Sequence, residues 1–202
     1  LQDRNGNVVQ KYVPQDVRGL IATAGGRDKF KRRLDLFFAP DLPNRYRYDV
    51  GNEPGFLAPY LYNWIGEQSS TAKTIRAILP ANYHTGRGGL PGNDDSGAMG
   101  SFLVFNQMGF FPVAAQDYYL IGSPTFPRSL IQLANGKTFS VVAENSSPTN
   151  VYIERATWNG KPYQRSWFTH EQLMAGGELR LTMTDRATHW DTGGAPPSMS
   201  DR

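Results

Sequence analysis

AMGSFLVFNQM, Ala98 to Met108, is the last stretch of the chain whose apolar residues read as a buried helix. On its far side, from Tyr118, the apolar residues fall instead into short β-branched and aromatic runs. On its near side the spacing is three and four. Val17, Leu20, Ile21 and Ala24 form one stripe closed by Gly25-Gly26, and Phe30, Leu34, Phe37 and Phe38 form a second that ends before Pro40. Pro59 to Ile65 and Thr71 to Leu79 continue the helical pattern, with Ser69, Ser70 or Thr71 as N-cap of the latter and Pro80 as its stop. Beyond Tyr118, the runs at 119–121, 130–133, 138–142, 151–153 and 179–183 are separated by Asn135-Gly136, Asn159-Gly160 and Gly176-Gly177, which is turn chemistry. The expected fold class is therefore α+β. A helical part spans residues 1–115, an all-antiparallel β region 116–187, and a Gly-, Pro- and Ser-rich tail, 188–202, lies extended on the surface.

Composition narrows the function classes. Of 202 residues, 39% are hydrophobic and 19% charged, which excludes a disordered chain. The 21 Gly and 14 Pro demand many turns and irregular loops, where sites tend to sit. A net charge of +3 is too small and too dispersed for a nucleic-acid footprint. The one dense basic run, Arg27 to Arg33, has the spacing of a solvated helix face. With no cysteine there are no disulfides, thiolate metal sites or cysteine nucleophiles. No apolar run approaches the ~20 residues of a membrane span, and Leu1 to Gln10 lacks a signal-peptide layout.

Candidate chemistry gathers in two loops. In Tyr48 to Gly55 (YDVGNEPG), Asn52 and Glu53 stand between a glycine and a proline, which suits either a helix cap or a ligand-binding turn. In Gly86 to Gly97 (GRGGLPGNDDSG), Asn93, Asp94 and Asp95 are brought to the head of an apolar helix. A carboxylate there is stabilised in its charged form and can serve as base, metal ligand or cap. The contiguous Asn93-Asp94-Asp95 does not fit a calcium-binding EF-hand loop, no G-x-S-x-G is present, and His84, His170 and His189 form no zinc-spaced pair.

Val13-Pro14-Gln15-Asp16-Val17, Gly51-Asn52-Glu53-Pro54, Pro59-Tyr60-Leu61-Tyr62-Asn63 and Gly89 to Gly97 occur in an order that resembles the C-terminal part of glycoside hydrolase family 92. Gly109 to Val113, Tyr119 to Pro124 and Asn159-Gly160-Lys161-Pro162 extend the resemblance over nearly the whole chain. It implies a calcium-dependent exo-α-mannosidase that inverts the anomeric centre, acts on mannose-containing glycans and is secreted or periplasmic. The fold it implies is a β-sandwich followed by an (α/α)₆ barrel, of which this chain would supply the last helices and the trailing β region. By motif position Asp95 resembles the general base, flanked by Asp94 and Asn93, and Asn52 resembles a Ca²⁺ ligand. Glu53 would contact substrate or stand behind it, and Tyr48-Asp49 occupies the place where some members use a His-Glu pair for the leaving sugar. The family's catalytic acid is a Glu upstream of Val13. No Glu precedes Glu53 here, and Asp3 and Asn5 do not keep the motif. The alternative is a non-catalytic carbohydrate-binding piece. In that reading Tyr60, Tyr62, Trp64, Trp158 and Trp167 stack on sugars, although their spacing favours core packing.

Overall fold

The computed structural model of the chain describes residues 12–39 and 48–201, so Asp3 and Asn5 lie outside the described residues. Helix α1 (Val17–Thr23) starts where the Asp16 carboxylate accepts from the Gly19 N–H at 3.1 Å. The Gly25-Gly26 turn, with both φ positive, redirects the chain into α2 (Arg27–Phe37). This helix buries Phe30, Leu34 and Phe37 and turns most of the basic run to solvent, as its spacing predicts. Ala58–Ile65 forms a 3₁₀ helix with every residue buried.

Helix α3 (Gln68–Asn82) differs from expectation at both ends. It begins after Glu67, so Ser69, Ser70 and Thr71 lie inside it rather than capping it. Pro80 lies in the last turn instead of stopping the helix, because a proline there removes a single backbone bond. The Tyr83 N–H still closes on the Leu79 carbonyl at 2.9 Å. Helix α4 (Ala98–Met108) ends on Gly109 at φ +96°, and β1 (Phe110–Pro112) follows at once. Strand structure thus begins six residues before position 116.

The β region is two sheets. β1, β2 (Tyr118–Ile121) and β7 (Trp167–Thr169) form an antiparallel sheet of three strands in the order β1-β2-β7. The second sheet joins β3 (Arg128–Gln132), β4 (Thr138–Glu144), β5 (Tyr152–Trp158), β6 (Lys161–Tyr163) and β8 (Gly177–Thr184) in the order β3-β4-β8-β5-β6. The all-antiparallel expectation fails at its centre, where β8 runs parallel to β4 from Phe139↔Gly177 to Glu144↔Thr182. The reason is the crossover through β5, β6, β7 and α5 (His170–Met174), which returns β8 between β4 and β5. Asn135-Gly136 and Asn159-Gly160 join β3 to β4 and β5 to β6 as their chemistry predicts. Asn159 and Gly160 both have positive φ, +49° and +79°, the signature of a tight primed hairpin turn.

Two apolar cores result. Leu34, Tyr60, Leu61, Ile75, Met99 and Phe102 centre the helical one, and Phe110, Phe139, Ile153, Phe168, Leu179 and Leu181 the sheet one. A buried polar seam joins them. Asn63 Nδ2 donates to the Ile121 and Ser166 carbonyls at 3.1 and 3.0 Å and its Oδ1 accepts from Thr71, while Gln68 Nε2 donates to the Gly122 carbonyl at 2.8 Å. Each is a buried polar group that would be costly if unpaired, so the seam fixes how the two cores meet.

The tail has tertiary partners. It is extended, and contacts along its length make it a strap that ties distant parts of the chain together. Trp190 is buried and donates to Gln68 Oε1 at 2.9 Å, the Pro197 carbonyl accepts from Trp64 and Tyr118, and the Met199 N–H reaches the Gln15 carbonyl. These partners lie far upstream in the sequence, so nothing local in the tail announced them.

Candidate functional site

The loop 48–55 is built on its own side chains. Asp49 Oδ1 accepts from the Gly51 N–H at 2.9 Å, which folds the turn. The Tyr48 ring packs beneath it on Phe37 and Phe38, with centroids 5.8 and 5.1 Å away. Burial pushes the Tyr48 phenol well above its ordinary pKa, and its hydroxyl has no hydrogen-bond partner among the described residues. Asn52 precedes a one-turn 3₁₀ helix, Glu53–Gly55, with Pro54 inside it, yet its side chain makes no cap bond and is exposed. The capping alternative for the Asn52 side chain is therefore not realised.

The second loop turns on glycines. The His84 N–H bonds to the Gly89 carbonyl at 3.0 Å, and a Cβ at Gly89 would fall on the His84 carbonyl oxygen. Asp94 then closes the loop onto α4. Its carbonyl accepts from the Gly97 and Ala98 N–H groups at 2.6 and 2.8 Å, and its Oδ1 accepts from the Gly100 N–H at 3.0 Å. Ser96 and Gly97 stand in left-handed conformation at φ +59° and +85°. Asn93, Asp94 and Asp95 are all exposed. Among the described residues, the Asp95 carboxylate accepts no hydrogen bond. Tyr83 lies behind this loop with its hydroxyl unpartnered, and its pKa is pushed up to about 12, first by burial and then by Asp94.

The two loops touch through two glycines. A Cβ on Gly92, whose φ is +64°, would lie 2.6 Å from the Gly51 carbonyl oxygen and 2.8 Å from the Gly51 Cα. One on Gly51 would lie 3.1 Å from the Gly92 Cα. Bare backbone against bare backbone is what sets the turn carrying Asn52-Glu53 against the loop carrying Asn93-Asp94-Asp95.

The sequence profile of the glycosyl hydrolase family 92 catalytic domain matches residues 2–185. The chain belongs to glycosyl hydrolase family 92. It is 43% identical over 195 residues to an "uncharacterized secreted glycosidase" of Arthroderma benhamiae, covering 94% of this chain and 25% of that protein. A family 92 α-mannosidase of Bacteroides thetaiotaomicron, solved with mannoimidazole, superposes with a TM-score of 0.89 at 35% identity, over 95% of this chain and 27% of that one. A family 92 inverting mannosidase of the same organism gives 0.85 at 30% identity, over 96% and 30%. The chain thus spans between a quarter and a third of the length of these relatives.

Against the family 92 motifs, the structure separates architecture from chemistry. In PYLYN, the Tyr60 hydroxyl donates to Asn106 at 2.8 Å, the Tyr62 hydroxyl donates to Asp35 at 2.9 Å, and Asn63 anchors the polar seam. Tyr60, Tyr62 and Trp64 are buried and offer no stacking platform, while Trp158 stacks on Phe139 at 5.3 Å. Sequence reasoning missed the Gly51–Gly92 contact, although the clustering of glycine in both loops was its signal.

The donors available for a hard cation are limited. Calcium takes about six to eight oxygens. Among the described residues no three His, Cys, Asp or Glu side chains gather into a group able to hold a metal. The exposed Asn52 side-chain amide can give one oxygen, so these residues do not form a complete calcium cage.

Proposed function

We propose that this chain forms the C-terminal part of the catalytic unit of an inverting α-mannosidase that releases terminal α-linked mannose from glycans. Its helices would complete an (α/α)₆ barrel with upstream sequence, as the relatives' greater length suggests. What supports the reading most directly is the Gly51–Gly92 contact, which sets the turn carrying Asn52-Glu53 against an acidic loop whose Asp95 is exposed, its carboxylate without a hydrogen bond among the described residues.

In this reading Asp95 is the general base. Its carboxylate takes a proton from a water, and that water adds to the anomeric carbon from the face opposite the departing oxygen, so configuration inverts. A carboxylic acid must protonate that oxygen from the other side, about 6.5–9.5 Å from the base, to leave room for the water. Glu53 stands as a substrate contact rather than this acid, which would come from residues outside those described. Asn93 and Asp94 flank the base, and Asp49 and Tyr48 shape the side of the site toward the leaving sugar. Asn52 would give one ligand to Ca²⁺, with the others supplied from beyond the described residues. The Arthroderma relative's description supports action outside the cell, and no described helix is long and apolar enough to cross a membrane.

The test is Asp95→Asn in the full-length enzyme, assayed on α-1,2-mannobiose. The expected result is a kcat lower by roughly 10²–10⁴-fold with melting temperature unchanged. Wild-type turnover in this variant sinks the assignment, and full activity after chelation sinks the calcium proposal.

A further inference from the structure

Asp94 and Asp95 are adjacent acids in one exposed loop, yet their environments divide them. Asp94 is held three times, through its carbonyl by the Gly97 and Ala98 N–H groups and through Oδ1 by the Gly100 N–H. Those bonds span Ser96 and Gly97, the two left-handed residues between Asp95 and α4. A left-handed non-glycine residue costs about 1–2 kcal/mol, so Ser96 holds its conformation only while the surrounding bonds enforce it. Asp95 sits inside this clasp with its carbonyl accepting from the Ala98 N–H and no hydrogen bond to its carboxylate among the described residues. Its direction is therefore set by backbone: the carbonyl at 94 would close that turn in any residue, and the Asp94 carboxylate alone ties it to Gly100 in the first turn of α4.

We propose that Asp94 is a positioning residue: its carboxylate oxygen caps the first turn of α4 and thereby fixes the loop that presents Asp95, and its charge takes no part in the reaction. This rests on Asp95 being the base and assigns the neighbouring acid a separate task. The requirement at 94 is an oxygen at the right reach. Asparagine supplies that oxygen without charge. Glutamate supplies charge one methylene too far out, and alanine supplies neither.

The experiment uses the full-length enzyme with Asp94→Asn, Asp94→Glu, Asp94→Ala and Asp95→Asn, assayed well below each melting temperature. Asp94→Asn is expected to keep kcat within about threefold, with the acid limb of the pH–kcat/KM profile in place. Asp94→Glu and Asp94→Ala are expected to lower kcat by about 10–100-fold at nearly unchanged KM, as a displaced base would. If Asp94→Asn loses as much kcat as Asp95→Asn, or if Asp94→Glu and Asp94→Ala keep wild-type kcat, the proposal is overturned. The Asn and Glu variants decide the matter even where Asp94→Ala does not fold. Wild-type turnover in Asp95→Asn instead breaks the base assignment on its own.

Discussion

In the five-stranded sheet, β8 is hydrogen-bonded along both edges, to β4 on one side and to β5 on the other. Between the loops 48–55 and 89–97, the decisive contact is two glycines whose backbones meet with no side chain between them. The sheet side of the molecule is stabilised by area, with Phe139, Phe168 and Leu181 fully buried and many ladder bonds sharing the load. The loop side is stabilised by reach: one carboxylate on one N–H, one glycine on another. A sheet core can absorb small changes in side-chain shape, whereas loops held by a few local bonds and joined by one backbone approach cannot part without moving Asn52 relative to Asp95. That contrast sets the loops proposed to carry the chemistry apart from the sheet that carries most of the stability.

The largest expected effect tests the sheet. Phe139→Ala removes a ring packed against Phe110, Trp158 and Phe168, and should destabilise the full-length enzyme by about 3–5 kcal/mol in denaturant melts. KM and kcat of the folded fraction should not change. A large kcat loss at intact stability would show that the two regions are not separable in this way. Gly92→Ala is the reciprocal variant. Its positive φ and the 2.6 Å approach to the Gly51 carbonyl predict a stability loss of about 1–2 kcal/mol. They also predict a kcat loss of up to about 100-fold, as the loops part. Unchanged kcat would remove the glycine contact from the argument.

The last effect falls on the strap where the regions join. Burial pushes the Asp191 carboxyl up to about 6 from 3.8, and its Oδ2 has no partner. Between these two values the unfolded chain has released the proton and the folded chain retains it. Stability therefore falls as pH rises from about 4 to about 6, by about 3 kcal/mol at most, and stays lower above that. Asp191→Asn should lack this slope when melts of the two proteins are compared across the range. Parallel profiles would show that Asp191 does not titrate with folding.

Much of this was legible in the residues. The Phe30, Leu34, Phe37 stripe, the Asn135-Gly136 and Asn159-Gly160 turns and the basic outer face of α2 follow from spacing of a few residues, and the structure keeps them. The family motifs also marked both loops. They did not separate PYLYN, whose side chains hold the fold together, from GNEP and GNDD, whose side chains largely face outward. That distinction depends on burial, which neighbouring elements decide.

The sequence by itself determined the helical and strand halves, the positions of the turns and the two glycine-rich loops, because backbone preference and amphipathic period act over one or two turns of chain. Only the tertiary structure decided the parallel pairing of β4 with β8, the strap of residues 188–201 against Gln68 and Gln15, and the meeting of Gly51 with Gly92. Each joins segments tens of residues apart or more, so its partner is selected by the packing of everything between. The same is true of the two aspartates: sequence placed them side by side, and the fold gave an N–H to one and left the other open.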